Sequence, residues 1–492
     1  MLYYVNGVCG SGKTVTAIDK IAERVKKGET IIYATSTKVL LEQTEKGFEK
    51  YNVDVELITS DLSTESGVHQ DTVAVRLLDS IRTNDNPKVI LCVTKSLIKV
   101  AGDLPKDKKL ALFIDEGFKV VDTGAYISRT SSEIQGVLFS LGLTEVKPDG
   151  YSNNRCYQLP ANLKDLKEYT ENSLYEIFYQ YGEVKLEWVA SLKVGAFLEF
   201  FSEVTMLAAC FDDTIESYVA KFSGVELEAL DWGLETEHYS NGYVFVYWIL
   251  NDLEWRTTFV NKLDKEKLDA ILQEYKGVAS GQFISLKEIG QDYNLDFEIE
   301  DEDGHVIEKP KKSYMPVVSH GLNDYTDYNN FINVYTQMPL PYLNEFLKEH
   351  FKMTQGQIRK SYYHYLSYQA ALRISLRKSS KRTPINVDTS FCFGDKATAM
   401  YFVSKLSDSV KVECRQLEAG KELDVRGPRS DKVSANKQEQ KNRSYDRKKL
   451  RDLYPDNEDL INEKLLLLRD WRRTHKGQKL STKHFKEIAG IN

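Results

Sequence analysis

The sequence lacks several features that mark particular classes of protein. No apolar run in its 492 residues approaches the roughly 18 residues that span a bilayer, which argues against a membrane protein. The six cysteines are scattered and form no CxxC pair, which argues against a disulfide framework or a zinc site and favours a reducing cytoplasm. The chain does not start with a basic region followed by an apolar stretch, so we expect no secretion signal and a cytoplasmic location.

Charge is unevenly distributed, although the net charge is only −7. Residues 421–492 hold 19 Lys and Arg against 12 Asp and Glu, whereas the preceding part of the chain is acidic. A basic tail on an acidic body is compatible with phosphate binding, and a solvated charged helix is the alternative. With 41% hydrophobic and 28% charged residues the chain resembles an ordinary folded protein, and at roughly 100–200 residues per domain we expect two to four domains.

Short apolar segments alternate with polar helical stretches in the first third of the chain. This alternation predicts an α/β fold in which helices cover a parallel sheet, and a later set of strand-like segments predicts a second α/β unit. The predicted strands are residues 2–6, 30–37, 55–60, 89–94 and 110–115 in the first unit, and 243–250, 331–336, 387–393 and 410–415 in the second.

Changes in this pattern divide the chain into four predicted parts. The first part is an α/β domain interrupted by a mainly helical insertion, the second α/β domain carries a β-hairpin with an Asp303-Gly304 turn, and a basic helical extension follows. The predicted boundaries are 1–118 with 203–235 for the first domain, 119–202 for the insertion, 236–420 for the second domain, 297–309 for the hairpin and 421–492 for the extension.

A phosphate-binding loop is predicted at residues 7–14, which read GVCGSGKT and match GxxxxGK[ST] between a predicted strand and a predicted helix. Glycines let backbone N–H groups converge on phosphate oxygens, and the helix N-terminus adds positive partial charge. Lys13 is predicted to reach the β- and γ-phosphates of a bound ATP, and the Thr14 hydroxyl is predicted to ligate Mg²⁺. A glycine-rich turn without a ligand is the alternative. The predicted ATP-binding residues are Gly7, Gly10, Ser11, Gly12, Lys13 and Thr14.

Two adjacent carboxylates, Asp115 and Glu116, end the apolar run that starts at Leu110. Asp115 is predicted to hold Mg²⁺ through water, and Glu116 to polarise the attacking water as general base. Two solvated acids at the end of a strand are the alternative. The phosphate-binding loop about 100 residues upstream favours the catalytic interpretation, because such a loop requires an acidic partner on a neighbouring strand.

These motifs, in this order, resemble those of the superfamily 2 nucleic-acid helicases and translocases. Residues 7–14 look like the first motif of that family, and residues 115–118 look like its DExx motif, in which Phe118 replaces the usual Asp or His. The resemblance implies two RecA-like domains with parallel sheets that share one ATP and Mg²⁺ site. Residues 33–38 (YATSTK) and 93–97 (VTKSL) look like motifs that touch the nucleic-acid backbone, through Thr35, Lys38, Thr94 and Lys95.

Three later segments extend the resemblance. Residues 203–214 (EVTMLAACFDDT) loosely resemble the coupling motif. Residues 317–330 (VVSHGLNDYTDYNN) look like motif V of phage and mobile-element helicases, which implies nucleic-acid contacts by Gly321 and Asn323.

Residues 368–377 (YQAALRISLR) look like motif VI, QxxGRxxR, with Gln369 and Arg373 in register, Leu372 in place of glycine, and the second arginine one residue late at Arg377. On a helix, Arg373 and Arg377 would share a face and point at the γ-phosphate as arginine fingers. An amphipathic helix with solvated arginines is the alternative.

The resemblance implies an ATP-dependent helicase or translocase that uses ATP and Mg²⁺ to move along single-stranded or forked DNA, which we favour over RNA. The sequence of the motif V segment suggests a phage or mobile element. We would then expect the protein in the host cytoplasm, with replication or recombination proteins as partners. The predicted hairpin is a strand-separating wedge or a surface decoration. Residues 437–451 and 471–473 bind nucleic-acid phosphates or belong to a docked helical bundle.

Two other functions remain open at this stage. One is a nucleotide-gated clamp or remodelling ATPase that binds nucleic acid without unwinding it, which the departures at Phe118, Leu372 and Arg377 allow. The other is a DNA-packaging ATPase motor. That motor would need a nuclease-type cluster of acids in the second half of the chain, where the sequence shows no convincing one.

Overall fold

The structure is a computed structural model. It divides into two compact units, Met1–Lys421 and Glu422–Asn492. It describes residues 1–59, 73–83, 86–105, 107–127, 137–138, 152–153, 166, 169–181, 185–260, 263, 265–279, 283–286, 299–300, 306–308, 314–315, 325–424, 450, 454, 460–461, 463–465, 467–468 and 485.

The strands are numbered in chain order: β1 (Leu2–Gly7), β2 (Ile31–Thr35), β3 (Val55–Ile58), β4 (Val89–Val93), β5 (Ala111–Asp115), β6 (Val121–Ile127), β7 (Ser152–Asn153), β8 (Tyr175–Tyr181), β9 (Lys185–Leu192), β10 (Glu203–Ala209), β11 (Leu227–Leu230), β12 (Val244–Leu250), β13 (Phe283–Leu286), β14 (Ile299–Glu300), β15 (Val306–Glu308), β16 (Tyr314–Met315), β17 (Asn330–Asn333), β18 (Thr389–Asp395) and β19 (Val412–Gln416).

The α-helices are numbered in the same way: α1 (Lys13–Lys26), α2 (Lys38–Phe48), α3 (Val73–Thr83), α4 (Thr94–Val100), α5 (Val194–Leu198), α6 (Ile215–Phe222), α7 (Thr257–Val260), α8 (Lys265–Val278), α9 (Pro341–Glu349), α10 (Gln355–Arg359), α11 (Tyr365–Ala371), α12 (Lys396–Val403) and α13 (Glu418–Asp424). A π-helical turn, Lys360–His364, joins α10 to α11. Among the residues described here, no helix is long and apolar enough to cross a bilayer.

The first sheet is parallel and has the order β11-β1-β10-β5-β2-β4-β3. Its central strands are apolar and buried on both faces, as parallel strands covered by helices must be. Helix α1 buries Ala17, Ile21 and Val25 against this sheet, a spacing of about one turn that places them on one face. Because all strands run the same way, β1 and β5 end at the same edge, separated by β10 alone.

The second sheet is also parallel, with the order β16-β13-β17-β18-β12-β19. The prediction of an α/β chain with two RecA-like parallel-sheet domains is therefore confirmed. The chain leaves the first sheet after β11 and enters the second at β12. Apolar packing joins the two domains in both directions. Cys9 and Ala209 of the first domain pack into the core of the second. Tyr342, Phe346 and Ile358 of the second domain pack into a core of the first.

The insertion differs from the mainly helical segment that the sequence predicts. Its described residues form an antiparallel sheet with the order β6-β9-β8-β7. Within this predicted helical insertion, Tyr175, Ile177 and Tyr179 are buried in alternation along β8, which is the period of a strand. Helix α9, which follows β17 in the chain, packs on this sheet, with the Phe346 ring 4.8 Å from the Phe178 ring.

The predicted hairpin and extension are described in part. Strands β14 and β15 pair antiparallel, as expected for a hairpin, while the turn at Asp303-Gly304 lies outside the described residues. In the second unit, Leu450, Ile461, Leu465, Leu468 and Phe485 form an apolar cluster. The basic segment 437–451, apart from Leu450, and residues 471–473 lie outside the described part of the chain.

Candidate active site

The phosphate-binding loop connects the end of β1 to the start of α1. Gly10 and Gly12 adopt φ values of 79° and 86°, a left-handed conformation that glycine adopts without steric cost. Lys13 lies inside the loop, where its Nζ donates to the carbonyl oxygens of Val8 (2.7 Å) and Gly7 (3.2 Å). Burial lowers the pKa of Lys13. The Lys13 ammonium group therefore lies inside the loop, where it could bind the phosphate oxygens of a nucleotide.

Asp115 meets the loop from the end of β5. Thr14 Oγ1 donates to Asp115 Oδ2 at 2.6 Å, so the two predicted metal ligands are in direct contact. Both are hard oxygen donors of the type that Mg²⁺ prefers, and the residues therefore fit this cation. The pKa of Asp115 is raised, mainly by burial and also by the charge of Glu116. Hydrogen bonds from Thr14 and Tyr33 offset part of this increase.

Tyr33 is a site residue that the sequence did not identify. Its side chain is fully buried, and its hydroxyl donates to Asp115 Oδ2. Tyr33 and Thr35 lie two apart on β2, and Thr35 pairs in register with Asp115. Residues two apart on a strand lie on the same face of the sheet, and this spacing was the sequence signal that could have identified Tyr33.

Glu116 has an unusual backbone conformation, with φ at 59°, and Gly117 follows with φ at 77°. A non-glycine residue in this region stores strain of order 1–3 kcal/mol, and such residues cluster at functional sites. The Glu116 N–H donates to Leu207 O of the adjacent β10, which fixes the turn. The turn brings the Glu116 carboxylate to Arg373 of the second domain, with Nη2 3.4 Å from Oε1.

Arg373 and Arg377 both reach the site, although they do not share a helix as expected. Helix α11 ends at Ala371, and Arg377 lies on a 3₁₀ turn, Ser375–Lys378. The helix ends because Ile374 adopts an extended backbone conformation, with φ at −88° and ψ at −171°, before the 3₁₀ turn begins.

Arg377 packs against the phosphate-binding loop itself. A Cβ placed on Gly10 would lie 2.6 Å from the Arg377 backbone oxygen, so only glycine fits there. Burial and the charge of Arg373 lower the pKa of Arg377. The third motif VI residue, Gln369, donates to Tyr365 of its own helix at 2.6 Å.

The residues expected to contact nucleic acid fall into three groups. Thr35 and Thr94 are buried at strand and helix boundaries, and their contact with a nucleic-acid backbone stays a prediction. Lys38 and Lys95 are exposed, and Lys38 pairs with Glu42 at 3.4 Å. Gly321 and Asn323 lie outside the described residues, and the motif V segment that suggested a phage or mobile element is described only from Tyr325.

A second set of contacts between the two domains surrounds Asp213, which follows β10. Its carboxylate accepts hydrogen bonds from Lys360, from Tyr401 Oη (2.7 Å) and from Lys405 (3.2 Å), all in the second domain. The loosely matched coupling motif at 203–214 contains Asp213, yet nothing in the sequence indicated its partners, which lie about 150–190 residues later.

Comparison with protein families gives one match. Residues 2–139 match the family described as "Type III restriction enzyme, res subunit" (ResIII), which supports a helicase-type ATPase. No curated protein matches the sequence.

Solved structures similar to this chain share little sequence with it. A structure of S. tokodaii Xpd4 is 11% identical, with a TM-score of 0.46, over 84% of this chain and 96% of that one. S. cerevisiae Dbp5 bound to RNA and ADP BeF3 is 10% identical, with a TM-score of 0.33, over 86% and 87%. A DEAD box protein from Methanococcus jannaschii is 12% identical, with a TM-score of 0.27, over 85% and 88%.

Proposed function

We propose that the chain is an ATP-dependent helicase or translocase whose two RecA-like domains hydrolyse ATP between them. One observation carries the proposal: Arg373 and Arg377 of the second domain reach the Glu116 carboxylate and the glycine loop of the first. A site assembled from two domains closes when a ligand binds between them and opens when that ligand leaves. This is how nucleotide binding is converted into domain movement. The domain boundaries that we propose are 1–118 with 203–235, and 236–420.

Each residue has a defined task in this proposal. Lys13 exchanges its loop carbonyls for phosphate oxygens, and Thr14 and Asp115 hold Mg²⁺, which neutralises phosphate charge when it is bound. Glu116 accepts a proton from the attacking water. Arg373 and Arg377 stabilise the negative charge that develops on the transferred phosphoryl group.

The contact between Arg373 and Glu116 suggests how hydrolysis is restrained before nucleotide binds. An arginine paired with the general base holds that carboxylate in place and occupies one of its oxygens. Because a triphosphate attracts the same guanidinium, its binding releases Glu116 towards water. The site therefore becomes competent when its substrate is in place.

The proposed polymer is single-stranded or forked DNA, with RNA as the alternative. The exposed Lys38 and Lys95, each at the start of a helix after a strand of the first sheet, are the described residues that support a phosphate-backbone contact. Backbone contacts carry little sequence information, so we expect the motor to tolerate most sequences. Any replication or recombination partner remains part of this proposal.

The test is steady-state ATP hydrolysis with and without single-stranded DNA or RNA. We expect stimulation by at least one polymer, and we expect Lys13→Ala to reduce hydrolysis at least about 100-fold because the phosphate contact is lost. Lys27→Ala, at the exposed end of the same helix region, is the matched control and should retain activity. Absence of stimulation by either polymer would contradict the motor, and strand displacement on forked duplexes separates unwinding from a clamp.

A further inference from the structure

Tyr368 makes a direct contact with the phosphate-binding loop that motif comparison does not assign. The residue lies on α11, immediately before Gln369, and its side chain is fully buried. The backbone N–H of Cys9, inside the loop, donates to the Tyr368 hydroxyl at 3.2 Å. This is a hydrogen bond between the backbone of one domain and a side chain of the other, 359 residues apart in sequence.

His238 supplies the second partner of the same hydroxyl. Its Nε2 lies 2.9 Å from Tyr368 Oη, and its side chain is buried. Burial, with the charges of Lys13 and Arg377, lowers the pKa of His238 to about 3, so the imidazole is neutral near pH 7. In the neutral tautomer that carries its hydrogen on Nδ1, Nε2 accepts a hydrogen bond from the Tyr368 hydroxyl, whose oxygen accepts from the Cys9 N–H.

The backbone of His238 is fixed as well. Its N–H donates to Lys405 O and its carbonyl accepts from Ser407 N–H, both at 2.9 Å. His238 lies on the connection between β11 and β12, the segment that joins the two parallel sheets. Tyr368 therefore ties together the phosphate-binding loop, the interdomain connection and the helix that leads into the arginine turn.

We propose that Tyr368, oriented by His238, is a positioning residue that sets the distance between the phosphate-binding loop and the turn carrying Arg373 and Arg377. This proposal rests on the proposed ATP hydrolysis. The arginines lie five and nine residues after Tyr368, beyond the end of α11, so their placement depends on where that helix is anchored. A misplacement of about 1 Å at such a site costs up to about 100-fold in rate.

Tyr368→Phe removes the hydroxyl and keeps the ring. We expect kcat for ATP to fall about tenfold, with ADP affinity changed less than about twofold because Lys13 and the other loop amides remain. Tyr275→Phe is the matched control, since it removes another buried, hydrogen-bonded hydroxyl of the second domain that bonds Phe331 O and Ser390 in the sheet. Both variants should lose similar stability, while Tyr275→Phe should keep wild-type kcat.

A double-mutant cycle with Arg377→Ala distinguishes a positioning role of Tyr368 from a contribution to stability alone. In the Arg377→Ala background, we expect Tyr368→Phe to lower kcat by clearly less than about tenfold, because one of the two arginines that Tyr368 positions is gone. His238→Gln, which keeps a nitrogen or oxygen near the hydroxyl, should lose less activity than His238→Ala, and these two variants replace Tyr368→Phe if that protein does not fold.

Two results would overturn the proposal in distinguishable ways. If the wild-type protein hydrolyses ATP but the effects of Tyr368→Phe and Arg377→Ala multiply fully, the positioning role is wrong and the proposed function stands. If the wild-type protein hydrolyses no ATP with any polymer, the proposed function fails and the positioning role fails with it.

Discussion

Asp213 holds the two domains together through charge, so its removal should favour the open state of the cleft. Its side chain is 9% exposed, and it is held by Lys360, Tyr401 and Lys405 of the second domain. Burial alone would raise the pKa of Asp213, but the hydrogen bonds from Lys360 and Tyr401 and the charge of Lys405 lower it. The carboxylate is therefore ionised at neutral pH, and all three partners contribute only while the domains are in contact.

The size of the effect follows from how exposed the partners are. Breaking a fully buried pair costs about 3–5 kcal/mol, whereas exposed pairs contribute about 0–1 kcal/mol. Lys360 and Lys405 are 40% and 21% exposed, so water can solvate them once Asp213 is gone. For Asp213→Asn, which keeps the shape and one acceptor for Tyr401, we expect about 2 kcal/mol, or about a 30-fold shift towards the open state.

Spin labels, one on each domain, measure this shift. The exposed Cys414 on β19 labels the second domain, and Lys27→Cys labels the first. Every protein also carries Cys156→Ser and Cys210→Ser, the latter because the Cys210 side chain is partly exposed. Pulsed electron spin resonance should show a longer and broader distance distribution for Asp213→Asn.

The neighbouring residue provides the control for this experiment. Asp212 pairs with Lys221 within the first domain, and both side chains are 50% exposed. Asp212→Asn should leave the distances unchanged. Identical distance distributions for Asp213→Asn and the parent protein would refute the reasoning.

Two further predictions concern the metal site and acid stability. Tyr33→Phe removes a donor to Asp115, so we expect half-saturation of ATP hydrolysis to need about tenfold more Mg²⁺, and an unchanged Mg²⁺ titration would contradict this. Buried His238 and His364 have pKa values lowered from 6.5 to about 3 and about 4, so the unfolded chain binds protons first as pH falls below about 6.5. From pH 7.5 to 5 the free energy of unfolding from urea titrations should therefore fall by about 4 kcal/mol from these two groups, and a loss under about 1 kcal/mol would contradict it.

Most strands of the two parallel sheets were predictable because each is a short apolar run bounded by polar residues. The predicted segments 243–250 and 387–393, for example, overlap β12 and β18. Four strands of these sheets, β10, β11, β13 and β16, were not among the predicted segments. The insertion was mistaken because aromatic and charged residues suit either a helix or a strand edge, and only burial on alternate residues of β8 decides between them. The burial of Thr35 and Thr94 was not predictable for a related reason, since the sequence does not reveal whether a hydroxyl side chain faces solvent.

By itself, the sequence predicted the loop around Lys13 and its acidic partner Asp115, because local spacing encodes a strand, a turn and a helix start. The resemblance to motif VI indicated the two arginines. Only the tertiary structure decided which groups meet across the cleft. Tyr368 on Cys9, Arg373 on Glu116 and the lysines on Asp213 join residues that lie far apart in the chain. Such contacts depend on how two separately formed cores pack, and no periodicity along one chain records that packing.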